Sequence, residues 1–324
     1  MTTNLTPMYM KADRAFREAK TDAEKIAALE EMYATIPKHK GTEKMQADIK
    51  HRLSGLREAA AHKKAGGGID IFHVERQGAG QVALVGTPNC GKSALVGALT
   101  KAHVNVAPYP FATHGPVPGM MPFEDIRIQL IDLPPVTAEG VVPGMIGTLR
   151  NANILLLVAD LAAPDLLDQV EVCLSVLENR GLVPTGKTPP EGGATKPMIL
   201  AATKADLPGA MDNFAALKDL YGAALPMVAA SAETFLGFDA IARHCFELLD
   251  IVRVYSKEPG KPVDRTSPFV LKRGSTVLDM AAAVHRDLAA NLKRARGWGD
   301  NLFEGQPVEK HHVLADKDII ELHV

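Results

Sequence analysis

The sequence predicts an α/β fold built on a doubly wound, mostly parallel sheet, with a helical arm before it and a small α+β module after it. Three observations carry that prediction. Short apolar runs alternate with helix-length amphipathic stretches between about residues 81 and 252. A glycine-bearing segment, "GTPNCGKS" at Gly86–Ser93, joins the first such run to the first such helix. Two linkers rich in glycine or proline, "AGGGID" (65–70) and "SKEPGKPVDRTS" (256–267), bracket the alternating part.

Before the first linker, residues 11–64 are polar and favour helix. Ile26, Leu29, Met32 and Tyr33 follow one helical stripe, and Ile49, Leu53 and Leu56 another, with breaks near Pro37 and Gly41. The basic excess over residues 38–64 reads as a solvated helix face rather than a nucleic-acid contact. The alternating part then pairs "QVALVG" with a helix over 92–101, and "IRIQLID" with one near 142–150. "NILLLVAD" pairs with 166–179, "PMILAAT" with 211–221 and "LPMVAA" with 238–252. Residues 181–197, "GLVPTGKTPPEGGATKP", interrupt the pattern as a surface loop. The final stretch reads strand, turn, helix and further short strands, a module of roughly domain-minimum size.

The totals suit such an arrangement. The chain has 324 residues, of which 46% are hydrophobic and 23% charged, enough for two or three domains. A net charge of -2 excludes a protein that is basic throughout, while leaving room for local basic patches. Cys90, Cys173 and Cys245 show no pairing or metal spacing and read as reduced thiols of a cytoplasmic protein. The amino terminus lacks the apolar core of a signal peptide, and the run "ILLLVA" is too short to cross a bilayer, so no membrane association is expected.

The chemistry begins at Gly86–Ser93, which fits G-x-x-x-x-G-K-[ST] between a strand and a helix. The backbone of Gly86, Thr87, Pro88, Asn89, Cys90 and Gly91 would wrap a phosphate chain at the helix N-terminus. Lys92 would bridge β- and γ-phosphates, and Ser93 would ligate Mg²⁺. Asp132, ending "IRIQLID", stands where such proteins place the acid that holds Mg²⁺ directly or through water. In "ATKADL", Thr203, Lys204 and Asp206 are candidate base contacts. Asp206 can accept from the N1–H and 2-amino group of guanine, which adenine does not offer, and Lys204 can lay its stem over the base. "SAE" adds Ser231 and Ala232 as a backbone contact to the guanine O6.

With these motifs in order, the chain resembles the GTPases of the Obg superfamily, in particular the DRG branch (developmentally regulated GTP-binding proteins). "TIPKHKGTEKMQADIKHRLSGLRE" resembles the branch's helical arm, and "GGGIDIFHVERQGAGQVALVGTPNCGKS" its entry to the G domain. "APYPFATHGPVPG" resembles its switch I, in which the second residue of a Thr-Thr pair binds Mg²⁺. The pair here is Ala112-Thr113, so Thr113 keeps that position. "RGSTVLDMAAAVHRDL", "WGDN" and "HVLADKDIIELHV" resemble a TGS module, a β-grasp domain. The resemblance implies a helical arm over 1–76, a P-loop G domain over 77–255, and a linker with a TGS-like domain over 256–324. It further implies GTP and GDP as ligands, Mg²⁺ as cofactor, and the ribosome, rRNA or a translation-associated protein as partner. Asn89 matches the asparagine that ligates K⁺ in cation-dependent relatives, though a turn asparagine bonding its own backbone accounts for it equally well.

Two departures stand out. DRG proteins carry a further domain inserted in the G domain, and 181–197 is too short to hold one. The family's Asp-Leu-Pro-Gly becomes Asp132-Leu133-Pro134-Pro135. That glycine gives its N–H to the γ-phosphate, whereas proline has none to give. A hydrogen bond to a charged oxygen contributes roughly 1.5–3 kcal/mol, so the change should weaken GTP more than GDP. Val136 follows, at the position of the water-orienting glutamine of Ras-type enzymes, and is grouped with Lys92 and Thr113 as a catalytic position. A GTPase is therefore expected, with a guanine-nucleotide scaffold that does not cycle as the alternative. An ATPase is disfavoured by Asp206. In the terminal module Trp298 is expected in the core. His311 and His312 read as surface or structural residues, and Lys272, Arg273, Arg286, Lys293, Arg294 and Arg296 offer a phosphate-binding face.

Overall fold

β1 (Gln81–Val85) is buried at every position, which requires cover on both faces. In the computed structural model, which describes residues 7–19, 22–36, 42, 45–46, 49–50, 52–53, 71–100 and 115–324, that cover is a doubly wound sheet. β1 lies parallel to β3 (Ile126–Asp132) and β4 (Ile154–Asp160). β7 (Met198–Thr203) and β8 (Met227–Ala229) continue the parallel run, and β2 (Val117–Phe123) pairs antiparallel with β3 at the other edge. The order is β2-β3-β1-β4-β7-β8.

Alternation along β1 feeds two cores. Val82 and Leu84 face α3 (Lys92–Thr100) and α7 (Phe238–Leu249), meeting Leu95, Leu99, Ile241 and Cys245. Ala83 and Val85 face α4 (Met145–Asn151), α5 (Leu166–Asn179) and α6 (Ala210–Tyr221), meeting Leu149, Val170, Cys173 and Leu217. One element is added and one expectation is corrected here. β2 is not among the expected strands; it carries Pro118, Gly119 and Pro122, which an edge strand tolerates and a central one does not. The helix expected to reach residue 252 stops at Leu249, where Asp250 turns left-handed (φ 52°) and the β-branched "IVRVYS" becomes β9 (Ile251–Ser256). Residues 181–197 carry a short parallel pair, β5 (Leu182–Pro184) and β6 (Ala194–Lys196), at the stem of their loop.

β9 belongs to a second sheet, ahead of the boundary that linker composition suggests. With β10 (Phe269–Lys272), β11 (Arg294–Gly299), β12 (Leu302–Val308) and β13 (Asp318–His323) it forms the order β10-β9-β13-β11-β12. α8 (Val277–Val284), opened by a Thr276/Asp279 capping box, packs Val277, Met280 and Ala281 onto Val252, Val254 and Ile320. A short helix, α9 (Arg286–Asn291), follows. Trp298, expected in the core, is only half-buried and takes the Lys257 ammonium 5.1 Å from its ring centroid. His311 and His312 lie in a turn and loop rather than a strand.

The residues before Ile71 form a separate unit. There α1 (Pro7–Glu18) and α2 (Asp22–Thr35) bury Tyr9, Ala12, Leu29 and Met32, joined by Ile36 and Ile49. Pro37, Gly41 and Leu56, the linker 65–70 and most of the basic stretch 38–64 lie outside the described residues.

Arg253, with Tyr255 and Lys317 beside it, ties the two sheets together. Arg253 of β9 is 2% exposed and donates to Glu124 (2.6 Å) and Asp125 (2.7 Å) at the β2–β3 turn, and to Asp316 (2.6 Å) before β13. Its guanidinium lies 4.7 Å from the Phe246 ring centroid, and Phe123 stacks on that ring at 5.0 Å. Tyr255 adds a hydrogen bond to Asp125. The hydrogen bond from Arg253 holds Glu124 below its ordinary value; burial pushes Asp125 upward but the hydrogen bonds from Tyr255 and then Arg253 outweigh it, and at Asp316 burial is outweighed by those from Arg253. Removing the cation leaves the half-buried Asp125 and Asp316 without their cation, while the exposed Glu124 keeps Lys317, so Arg253→Met should lower stability by about 1–3 kcal/mol in urea titration. The stability these carboxylates contribute is full above their unfolded values and is lost as pH falls through the depressed folded ones. The wild-type unfolding midpoint should therefore fall more steeply below about pH 4 than that of Arg253→Met; parallel curves would contradict the assignment.

Candidate functional site

Parallel strands end at one edge, and the register brings Leu84 of β1 opposite Asp132 of β3, and Asp160 of β4 opposite Thr203 of β7. At that edge the chain leaves β1 through Gly86, where an added Cβ would stand 2.5 Å from Cys90 Sγ and 2.7 Å from the Val158 carbonyl. The loop turns through Thr87, the exposed Pro88 and Asn89 (φ 62°), passes the buried Cys90, and enters α3 through Gly91 (φ 90°). Burial pushes the Cys90 thiol up, against the pull of Lys92. The Asn89 side chain is exposed and makes no hydrogen bond to its own backbone.

Lys92 is buried and folds over the loop, donating to the carbonyls of Gly86 (2.9 Å) and Thr87 (3.2 Å). Ser93 Oγ lies 2.5 Å from Asp132 Oδ2, so the hydroxyl and carboxylate expected to share a metal are already in contact. Asp132 Oδ1 and Thr87 Oγ1 are buried without a partner. Burial pushes the Asp132 carboxyl up, while the Ser93 hydrogen bond and the charge on Lys92 oppose that shift. A carboxylate oxygen without a partner, beside a hydroxyl, is an oxygen donor set that fits Mg²⁺ with its water shell. Among the described residues no group of three or more His, Cys, Asp or Glu is placed to hold a metal. Thr113 lies outside the described residues.

On the base side, Thr203 Oγ1 lies 2.7 Å from the Cys90 carbonyl and 3.1 Å from that of Ala159, tying β7 to the loop. Lys204, held left-handed (φ 58°), pairs with Asp160 at 2.5 Å. Asp206 is exposed. Ser231 is buried and its hydroxyl accepts from the N–H groups of Glu233 (3.2 Å) and Thr234 (3.1 Å), which leaves the Ala232 N–H unbonded. Asp160 escapes the motif search, although it ends its strand just as Asp132 does.

Val136 is placed differently from the expectation. Its side chain is fully buried in the core beside Leu133 and Met145, because a valine gains by leaving water, and so it does not line the phosphate loop. Its backbone is what reaches the site: Val136 N–H donates to the Gly86 carbonyl at 3.0 Å. Thr137 N–H is bonded to Gly140 at 3.1 Å, and Pro134 and Pro135 have no N–H at all. Residues 134–137 thus present no free backbone donor.

Comparison with known proteins agrees with this geometry. Residues 81–204 match the family of 50S ribosome-binding GTPases, and residues 252–324 match the TGS domain. This is an Obg/DRG-like GTP-binding protein. Developmentally-regulated GTP-binding protein 1 of Xenopus laevis is 27% identical to it over 362 residues, covering 92% of this chain and 98% of the relative. Ribosome-interacting GTPase 1 of Saccharomyces cerevisiae is 26% identical over 369 residues, covering 93% and 99%. Both alignments are longer than the chain, so these relatives carry residues without a counterpart here. A GTP-binding protein from Pyrococcus horikoshii OT3 shares the fold at 17% identity and a TM-score of 0.51, covering 75% of this chain and 99% of that one. No helix among the described residues of this DRG-like protein is long and apolar enough to cross a membrane.

A glutamine at 136 would be forced into the apolar core. Val136→Gln should cost about 2–4 kcal/mol in chemical denaturation, and no gain in GTP turnover is expected from it.

Proposed function

We propose that this protein binds guanine nucleotide on the loop Gly86–Ser93 and hydrolyses GTP to GDP and phosphate, slowly or with the help of a partner. We further propose that it works in the cytoplasm, in association with the ribosome, rRNA or a translation-associated protein. The observation that carries the reading is the contact of Ser93 with Asp132 beside the inward-folded Lys92. On nucleotide entry the Lys92 ammonium exchanges the carbonyls of Gly86 and Thr87 for β- and γ-phosphate oxygens, where it offsets charge developing during attack by water. Mg²⁺, when held by Ser93, Thr113 and Asp132, screens the phosphates. Asp206 accepts from the guanine N1–H and 2-amino group, the free Ala232 N–H donates to O6, and Asp160 keeps the Lys204 stem in line with the base. The partner class rests on the family description at residues 81–204 and on the name of the yeast relative.

A second reading has its own observation. With Pro135 in place and the N–H of Val136 committed to Gly86, residues 134–137 offer the γ-phosphate no free backbone N–H, which suits a guanine-nucleotide scaffold that does not cycle. Isothermal titration separates the two consequences. Pro135→Gly should tighten a non-hydrolysable GTP analogue about tenfold while leaving GDP unchanged; equal gains for both nucleotides would remove Pro135 from the account. Asp206→Asn should weaken GDP about a hundredfold, by loss of an acceptor for two donors. Turnover is to be measured in KCl and in NaCl, with and without ribosomes. Stimulation by K⁺ would place the cation at Asn89, and identical rates would leave Asn89 as a turn residue. Tight binding with no turnover in any arm would establish the scaffold.

A further inference from the structure

At the end of the sheet opposite the phosphate loop, four cations gather around the C-terminus of α4. Arg76 donates to the Asn151 carbonyl (2.5 Å), and Lys196 to those of Arg150 (2.5 Å) and Ala152 (2.6 Å). Arg150 in turn donates to the Arg180 carbonyl at 3.0 Å. Arg76, Arg150 and Arg180 are exposed and Lys196 is half-buried. Among the described residues none of the four makes an ion pair, and the partners of Arg76, Arg150 and Lys196 are backbone carbonyls.

Helix capping accounts for part of this arrangement, since cations favour the carbonyls at a helix C-terminus. It does not neutralise the charge. Carbonyls are neutral, and of the five N–H donors on each guanidinium Arg76 and Arg150 use one. Burial, and after it the charge of Arg76, pulls the Lys196 ammonium below its ordinary value. Nor does the surface resemble a protein-docking hot spot: the large apolar side chains of α4, β5 and β6 are buried or half-buried, and none of them is exposed. Closely set cations without an apolar anchor are what a phosphate backbone requires.

We propose that Arg76, Arg150, Arg180 and Lys196 form a nucleic-acid phosphate-binding face on the G domain, distinct from the nucleotide site. The inference rests on the proposed ribosome- or RNA-directed role and gives it a location. The face shares α4 with the loop that follows Asp132. The Arg180 guanidinium also comes within 3.8 Å of where a Cβ on Gly140 of that loop would stand. RNA seated there therefore borders the far part of the loop that follows Asp132, on the side away from Gly86–Ser93.

The test is binding of a labelled RNA hairpin to the full chain by fluorescence anisotropy across a KCl series. It compares wild type, Arg150→Gln/Arg180→Gln, and Arg294→Gln/Arg296→Gln in the terminal module. All four substituted residues are exposed, and thermal melts check that the variants fold. The G-domain pair should weaken RNA at least tenfold and reduce the salt slope by about one to two, with GDP affinity unchanged. RNA affinity unaffected by that pair but lost with Arg294→Gln/Arg296→Gln would overturn the proposal in favour of the terminal module. So would a wild type that binds no RNA but binds polyglutamate, since that partner is an acidic protein. RNA binding retained by a chain that takes up no guanine nucleotide would sink the proposed GTPase role while leaving this face intact.

Discussion

The parallel register of β3, β1, β4 and β7 is the constraint on which the site depends. Because these strands run the same way and are buried on both faces, their carboxyl ends open at one edge. The chain must leave each of them there by a loop. Gly86, Asp132, Asp160 and Thr203 reach that edge from four different strands, and none requires a long or specialised loop to do so. The two cores pack both faces of these strands and so support the edge that the contact of Ser93 with Asp132 bridges. Support of this kind lets a few charged groups act on phosphate without first reorganising.

Where the chemistry is local in sequence, it was legible. The segment Gly86–Ser93 holds strand end, turn and helix start within a single motif, and the helix over 166–179 shows its period from end to end. Asp132 was legible because a phosphate loop precedes it. The rest depends on pairs far apart along the chain, which leave no local pattern. Lys204 meets Asp160 across 44 residues, and Arg253 meets Glu124 across 129. β2 was hidden for the opposite reason: its prolines are a strong local signal for a loop, and only its edge position overrides them. Trp298 was misjudged because a sheet covered by a helix on one face leaves room on the other for a half-buried ring against Lys257.

The loop after Asp132 illustrates how a substitution can be read twice. Sequence alone records the lost donor at Pro135. The structure adds that the next donor, Val136 N–H, is already committed to the carbonyl of Gly86, and the one after it to Gly140. The apolar burial of Val136 and its backbone bond act in the same direction, each holding the segment down. The phosphate loop and the loop after Asp132 are thus stitched together at Gly86, whose carbonyl also receives Lys92.

Arg253 belongs by strand to the terminal module and by charge to the turn between β2 and β3, and this has a consequence for inheritance. A terminal module exchanged for one bearing a neutral side chain there would leave Asp125 without a cation and Glu124 with Lys317 alone. An exchanged G domain without those acids would leave the buried guanidinium with Asp316 as its one carboxylate partner. Even the proline-bearing linker 256–267, the obvious place to cut, separates Arg253 from Asp316. Residues 124–316 therefore have to be inherited as one block, whatever the modular look of the chain.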